Sequence, residues 1–91
     1  MYLFNKMKEL MNRNSVIYSS ELCSDCQLAE SFFTKNNIDI EIKKIENPEY
    51  QKELETKYGK VLVPTIIIGG EKFIGFKENQ ERIKKKLNLG E

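Results

Sequence analysis

SVIYSSELCSDCQLAESFFTKN, residues 15–36, is the stretch that decides the fold of this 91-residue chain. Its first five residues are rich in β-branched and aromatic side chains, which predicts a short strand over 15–19. From residue 24 the apolar residues recur at helical spacing, which predicts a helix over 24–36. The two cysteines, Cys23 and Cys26, therefore lie where a strand ends and a helix begins.

The residues that follow complete an α/β pattern. Isoleucines alternate with polar residues over 38–43, which predicts a strand with one buried face. Asn47 and Pro48 predict the start of a second helix, and Gly59 predicts its end. A central strand, a glycine turn, a return strand and a last helix are then predicted over residues 65–68, 69–70, 72–74 and 77–88.

These elements predict one α/β domain with a small four-stranded mixed sheet flanked by helices. The first two strands are joined by a helix and should be parallel, with a right-handed crossover, whereas the last two form an antiparallel hairpin. Residues 15–91 make up this domain. Residues 1–14 carry an apolar stripe at roughly helical spacing and predict an N-terminal helical extension, packed on the domain or in contact with a partner.

The composition of the chain argues against several classes of function. The net charge is only +1, and the run of lysines at 84–86 suits a helix C-terminus, so nucleic-acid binding is not expected. The chain has no histidine, which excludes Ser-His and Cys-His catalytic pairs. No stretch approaches the roughly 20 apolar residues of a membrane span, and residues 1–14 do not resemble a signal peptide. We expect a cytoplasmic protein without membrane association.

The chemistry is predicted at the two cysteines. A thiolate is the nucleophile of disulfide exchange, and the N-terminus of a helix favours a negative charge. Cys23, at that terminus, is the predicted attacking thiol, and Cys26, one turn later, resolves the mixed disulfide. Ser24 and Asp25 between them are predicted to tune the redox balance. A carboxylate near Cys23 opposes its ionisation and biases the pair toward a reductant.

Other interpretations of the cysteine pair stay open at this point. A tetrahedral metal site needs four ligands, which only a second chain or added thiols could complete. An inert structural disulfide is uncommon for a short loop in a cytosolic protein. A third alternative is an interaction domain that uses the N-terminal stripe, with vestigial thiols.

Three motifs in order carry a resemblance to a known family: Cys23-Ser24-Asp25-Cys26, Val63-Pro64-Thr65 and Gly75-Phe76. Over residues 15–88 the chain resembles a glutaredoxin-like protein of the thioredoxin superfamily. The resemblance implies a thioredoxin-like fold and a thiol–disulfide oxidoreductase that reduces protein or small-molecule disulfides.

The resemblance also implies roles for residues beyond the cysteines. The Val63–Pro64 peptide bond should be cis and should face the dithiol, so that Val63, Pro64 and Thr65 shape a substrate groove. Gly75 and Phe76 should form the far wall of that groove. By position alone, Tyr18 and Leu22 are expected to add apolar surface.

Departures from the family pattern bear on the electron donor. Glutathione-using members usually carry a Pro-aromatic pair between the cysteines and a Lys three residues before the first. Here those positions hold Ser24-Asp25 and Ser20. No permanently bound cofactor is expected, and the donor is glutathione or a thioredoxin reductase, the second favoured by Gly75-Phe76. The alternative function is a non-catalytic iron–sulfur or metal-binding module.

Overall fold

The structure is a computed structural model that describes residues 15–87. The predicted N-terminal helical extension over 1–14 lies outside the described residues. Four strands and three helices follow one another along the chain: β1 Val16–Ser19, α1 Ser24–Lys35, β2 Glu41–Lys44, α2 Pro48–Tyr58, β3 Thr65–Ile68, β4 Glu71–Ile74 and α3 Gln80–Lys86.

The strands form one sheet in the order β2-β1-β3-β4. β1 runs parallel to β2, and β3 runs antiparallel to both β1 and β4. This is the predicted mixed sheet, with the predicted parallel pair and hairpin. No helix among residues 15–87 is long and apolar enough to cross a membrane.

Local signals set most element ends. The chain leaves α1 through Asn37, whose φ of 56° is left-handed, as asparagine tolerates. At the start of α2 the Asn47 side chain accepts a hydrogen bond from the Glu49 N–H at 3.0 Å. Gly59 ends the same helix with a φ of 85°. These caps agree with the sequence predictions.

Two elements begin three residues later than predicted, whereas the other predicted starts are within one residue of the observed ones. β2 begins at Glu41 rather than at residue 38, because its pairing with β1 begins only there. As an edge strand it has one neighbour, and Ile42 is left 42 % exposed rather than buried. The last helix begins at Gln80 rather than at residue 77, after a turn in which the Asn79 side chain donates to the carbonyls of residues 74 and 75.

Both faces of the sheet are covered. The larger core lies on the face of α1 and α3 and is built from Ile17, Ala29, Phe33, Ile66, Ile68, Phe73, Phe76 and Ile83. The smaller core lies under α2 and contains Tyr18, Leu54 and Ile67. Because successive residues of a strand point to opposite faces, the two central strands contribute to both cores.

Polar side chains alternate between the faces in the same way. On the α2 face, Tyr18 of β1 and Lys43 of β2 both donate to the Glu53 carboxylate, the lysine at 2.6 Å. Hydrogen bonds from Lys43 and Tyr18 lower the pKa of Glu53, whereas burial and the bond to Glu53 raise the pKa of Tyr18. Ser19 and Lys44, the next residues along, point to the α1 face.

Candidate active site

The two cysteines lie at the N-terminus of α1. Cys23 is the N-cap residue in an extended conformation, and its sulfur accepts a hydrogen bond from the Cys26 N–H at 3.1 Å. The pair is joined as a disulfide with Cα atoms 5.2 Å apart, within the usual range for such bonds. Cys26 is completely buried, whereas Cys23 is partly exposed. The two sulfurs therefore differ in their access to a substrate.

A hydrogen-bonded turn connects β1 to Cys23. The Ser20 hydroxyl donates to the Glu46 carboxylate at 2.6 Å, and the Glu21 N–H donates to the same oxygen at 3.1 Å. The bond from Ser20 is the largest cause that lowers the pKa of Glu46. This turn leaves Leu22, the residue before Cys23, 96 % exposed. The prediction that Leu22 adds apolar surface agrees with this position.

One turn after Cys26, Glu30 connects α1 to the sheet. Its carboxylate accepts hydrogen bonds from the Ser19 hydroxyl at 2.7 Å and from the Lys44 ammonium at 2.9 Å. The bond to Glu30 is the largest cause that raises the pKa of Lys44. These contacts fix the helix that carries both cysteines over the ends of β1 and β2.

The loop before β3 faces the dithiol. The Val63–Pro64 peptide bond is cis, as the resemblance implied, and the Val63 carbonyl oxygen lies 3.9 Å from the Cys23 sulfur. Pro64 and Thr65 are buried, and the Thr65 hydroxyl donates to the Leu62 carbonyl at 2.6 Å. The surface available to a substrate here therefore comes from Val63, which is partly exposed, and from the side chain of Leu62, which is 43 % exposed.

Gly75 and Phe76 lie beside this loop, but they differ from the predicted groove wall. Gly75 has a φ of 92°, and its N–H donates to the Pro64 carbonyl at 2.9 Å. The Phe76 ring is only 3 % exposed and packs in the core against Phe32 and Phe33. Aromatic burial of this kind outweighs any gain from exposing the ring, so Phe76 offers the site its backbone rather than an apolar wall.

Tyr18 also differs from the prediction. It was expected to add apolar surface near the cysteines, but its side chain is 1 % exposed and lies in the core under α2. Its place in the middle of the paired β1 strand explains the burial.

Asp25 makes the contact that sequence reasoning missed. Its carboxylate accepts hydrogen bonds from the backbone N–H groups of Phe76, at 2.8 Å, and Lys77, at 3.2 Å. Ser24 is exposed beside it. The partners of Asp25 are more than fifty residues away in the sequence, and backbone donors leave no residue-type signature, so no local pattern could reveal this contact.

Among residues 15–87 no three His, Cys, Asp or Glu side chains converge as they would around a metal ion.

Known proteins share this architecture. A mutant of a thioredoxin-like protein superposes with a TM-score of 0.75 at 24 % identity, covering 85 % of this chain and 97 % of that one. A glutaredoxin from Archaeoglobus fulgidus gives 0.68 at 20 % identity, with coverage of 82 % and 86 %. A buckwheat glutaredoxin–glutathione complex gives 0.63 at 20 % identity, with coverage of 92 % and 81 %. These likenesses establish the thioredoxin-like fold.

The sequence itself settles the family. No curated protein matches the chain. The glutaredoxin family model matches residues 15–74, which is more than half of the chain and includes the dithiol and the loop that faces it. With two cysteines at disulfide distance, the general chemistry of that family, thiol–disulfide exchange, fits the site. The chain belongs to the glutaredoxin family.

Proposed function

We propose that this protein is a dithiol reductant of disulfides. The Cys23 thiolate attacks one sulfur of the substrate disulfide, the substrate S–S bond breaks, and one substrate thiolate leaves. Cys26 then attacks the Cys23 sulfur of the mixed disulfide and releases the second substrate thiol. Two electrons pass from the protein dithiol to the substrate, and the two thiol protons go to the released thiols.

The main support for this proposal is the difference in exposure between the two cysteines. Cys23 is the partly exposed N-cap of α1, where an N–H group already donates to its sulfur and would stabilise a thiolate. Cys26 is completely buried and can react only with a group brought to Cys23. The order of attack follows from this difference in access.

The surroundings of Cys23 favour an extended, partly apolar substrate. Leu22, next to Cys23 in the sequence, and Leu62 are both exposed, and the carbonyl of Val63, which follows Leu62, lies 3.9 Å from the Cys23 sulfur. Disulfide-containing proteins are therefore the proposed substrates. Ser24 and Asp25 keep their proposed influence on the redox balance.

The electron donor is proposed to be a thioredoxin reductase, with glutathione as the alternative. The glutathione seen in the complex of the buckwheat glutaredoxin supports the alternative for the family. Ser20 and Ser24-Asp25 replace residue types common in glutathione-using members, which supports the first donor. We place this activity in the cytoplasm, with no nucleic acid or membrane as partner.

Insulin reduction in the presence of dithiothreitol tests the reaction. Cys23→Ser should lower the rate to that of dithiothreitol alone, because the hydroxyl is a far weaker nucleophile than a thiolate. In a separate reaction from which dithiothreitol has been removed, reduced Cys26→Ser should accumulate the mixed disulfide at Cys23, seen as a mass increase that is lost when dithiothreitol is added. A Cys23→Ser protein as active as the native chain contradicts the proposal.

The donor is tested separately. Oxidised protein is offered NADPH with thioredoxin reductase and, in a second reaction, NADPH with glutathione and glutathione reductase. Faster reduction through thioredoxin reductase is the expected result. Turnover by the glutathione route alone reverses the proposed donor and leaves the dithiol chemistry in place.

A further inference from the structure

Two backbone N–H groups beside the dithiol converge on one carboxylate. The N–H groups of Phe76 and Lys77 both donate to Asp25, one to each carboxylate oxygen, at 2.8 and 3.2 Å. Successive N–H groups that converge in a turn form an anion-binding concavity, and bonds to an ionised acceptor are among the stronger hydrogen bonds. The ligand that fills this concavity is the chain's own side chain.

The N–H pair is held in place next to the reacting sulfur. Asp25 lies between the two cysteines in the first turn of α1, so the pair is within one side chain's length of that turn. On its other side, the Gly75 N–H donates to the carbonyl of Pro64, and the neighbouring Val63 carbonyl lies 3.9 Å from the Cys23 sulfur. A small disulfide that meets Cys23 would bring its own carboxylate close to this pair.

We propose that Asp25 determines substrate class by occupying this position as an internal ligand. A small disulfide with free carboxylates finds the two N–H donors taken and meets a like charge. A protein disulfide that docks through its backbone and apolar side chains needs neither donor. The inference rests on the proposed function and adds to it a preference for protein disulfides over small acidic ones.

The expected size of the change in selectivity follows from the covalent attachment of Asp25 to the same chain as the two N–H groups. A ligand held on the same chain competes at an effective concentration of roughly millimolar or more. An external carboxylate must exceed that concentration to displace Asp25, and the two carboxylates repel each other within a Debye length of about 10 Å. Removal of Asp25 should therefore change the discrimination about tenfold.

The test compares two disulfides that differ at their carboxylates: glutathione disulfide and the same compound with its carboxylates esterified. Reduced protein is mixed with each, and formation of the Cys23–Cys26 disulfide is followed by alkylation and mass spectrometry. The measured quantity is the ratio of the two rate constants, acid over ester. Any general change in thiol reactivity caused by a substitution cancels in this ratio.

Asp25→Ser should raise the ratio about tenfold over the native protein. Asp25→Asn, which loses the charge but keeps one accepting oxygen, should raise the ratio by a smaller factor. If Asp25→Ser fails to fold, Asp25→Asn provides the test instead. The control is Glu49→Ser, because Glu49 is the exposed acidic residue at the same position of α2 and its removal changes the net charge equally. The Glu49→Ser ratio should equal the native ratio.

The outcomes separate the two claims. If both disulfides react but the ratio is the same in the native protein and in the folded Asp25 variants, the inference is wrong and the proposed function stands. An equal rise in Glu49→Ser also overturns it, as a mere effect of net charge. If only a protein disulfide such as insulin oxidises the reduced protein, in the native chain and in the folded Asp25 variants alike, the inference is wrong and the proposed function stands. If insulin and both small disulfides all fail to oxidise the reduced native protein, the proposed function fails and the inference fails with it.

Discussion

The helices α1 and α2 begin in nearly the same way. Each has an extended N-cap residue whose side chain accepts a backbone N–H: Cys23 from Cys26 at 3.1 Å, and Asn47 from Glu49 at 3.0 Å. Each also has an acidic residue at its second position, Asp25 in α1 and Glu49 in α2. The capping atom differs, because one helix uses sulfur and the other oxygen.

The difference between the two capping atoms shows that a reactive cysteine at a helix N-terminus weakens the cap. An amide oxygen is a good hydrogen-bond acceptor, whereas sulfur is a weak one. The start of α1 therefore has a poorer cap than the start of α2, and its capping atom is the atom that reacts. α1 compensates through three buried residues, Cys26, Ala29 and Phe33, whereas α2 buries only Leu54.

The largest expected effect tests the dependence of α2 on that single residue. Leu54→Ala should lower the free energy of unfolding by about 2–5 kcal/mol, because Leu54 is completely buried and the truncation leaves a cavity. Urea denaturation measures the change. The control is Leu22→Ala, the same truncation at a position that is 96 % exposed, which should cost less than about 0.5 kcal/mol. Equal losses in both variants would contradict the difference in anchoring.

The next effect tests the caps themselves. Asn47→Ala should cost about 1 kcal/mol, the usual loss for an N-cap. In the fully reduced protein, Cys23→Ser should raise the free energy of unfolding by several tenths of a kcal/mol, because serine is a preferred N-cap and cysteine is not. Denaturation in excess dithiothreitol measures both variants. A reduced Cys23→Ser protein less stable than the native one would show that the sulfur is not a weak cap.

The smallest expected effect is the pH dependence of the stability that Glu53 contributes on the α2 face of the sheet. The pKa of Glu53 in the folded protein lies below its ordinary value of 4.5, with the bond from Lys43 as the largest cause. Its contribution is therefore complete above about pH 4.5 and is lost as the pH falls through the folded-state pKa. For a partly exposed pair, that contribution should be below about 1 kcal/mol.

Acid unfolding of Glu53→Gln measures this contribution. The stability difference between the native protein and the variant should shrink between pH 6 and the acid limit. Glu49→Gln, an exposed change on the same helix, should follow the native pH profile. Parallel profiles for the native protein and Glu53→Gln would show that the Lys43–Glu53 contact does not stabilise the fold.

Sequence patterns predicted those parts of the fold that depend on short-range chemistry. The Asn47-Pro48 start, the Gly59 end and the strand–helix junction at Cys23 all act within a few residues, and the structure agrees with them. The start of β2 at Glu41 was missed because it depends on where β1 offers a partner.

Around the cysteines, the arrangement of the backbone was predicted and several side-chain contacts were missed, while the roles predicted for these residues stay predictions. The cysteines and the cis Val63–Pro64 bond come together as the resemblance implied. The burial of the Phe76 ring and the bonds to Asp25 depend on packing between segments far apart in the sequence, where residue type alone does not decide which atoms meet.

The alternation of polar side chains along β1 and β2 has a consequence for how the sheet forms. Tyr18 and Lys43 meet Glu53 on one face, and Ser19 and Lys44 meet Glu30 on the other. A shift of β1 by one residue would turn each hydroxyl to the wrong face and deprive each glutamate of a partner. The two glutamates thus favour one register of β1 against β2. Only in that register do both carboxylates keep all these hydrogen bonds, and the same register places Cys23 after the end of β1.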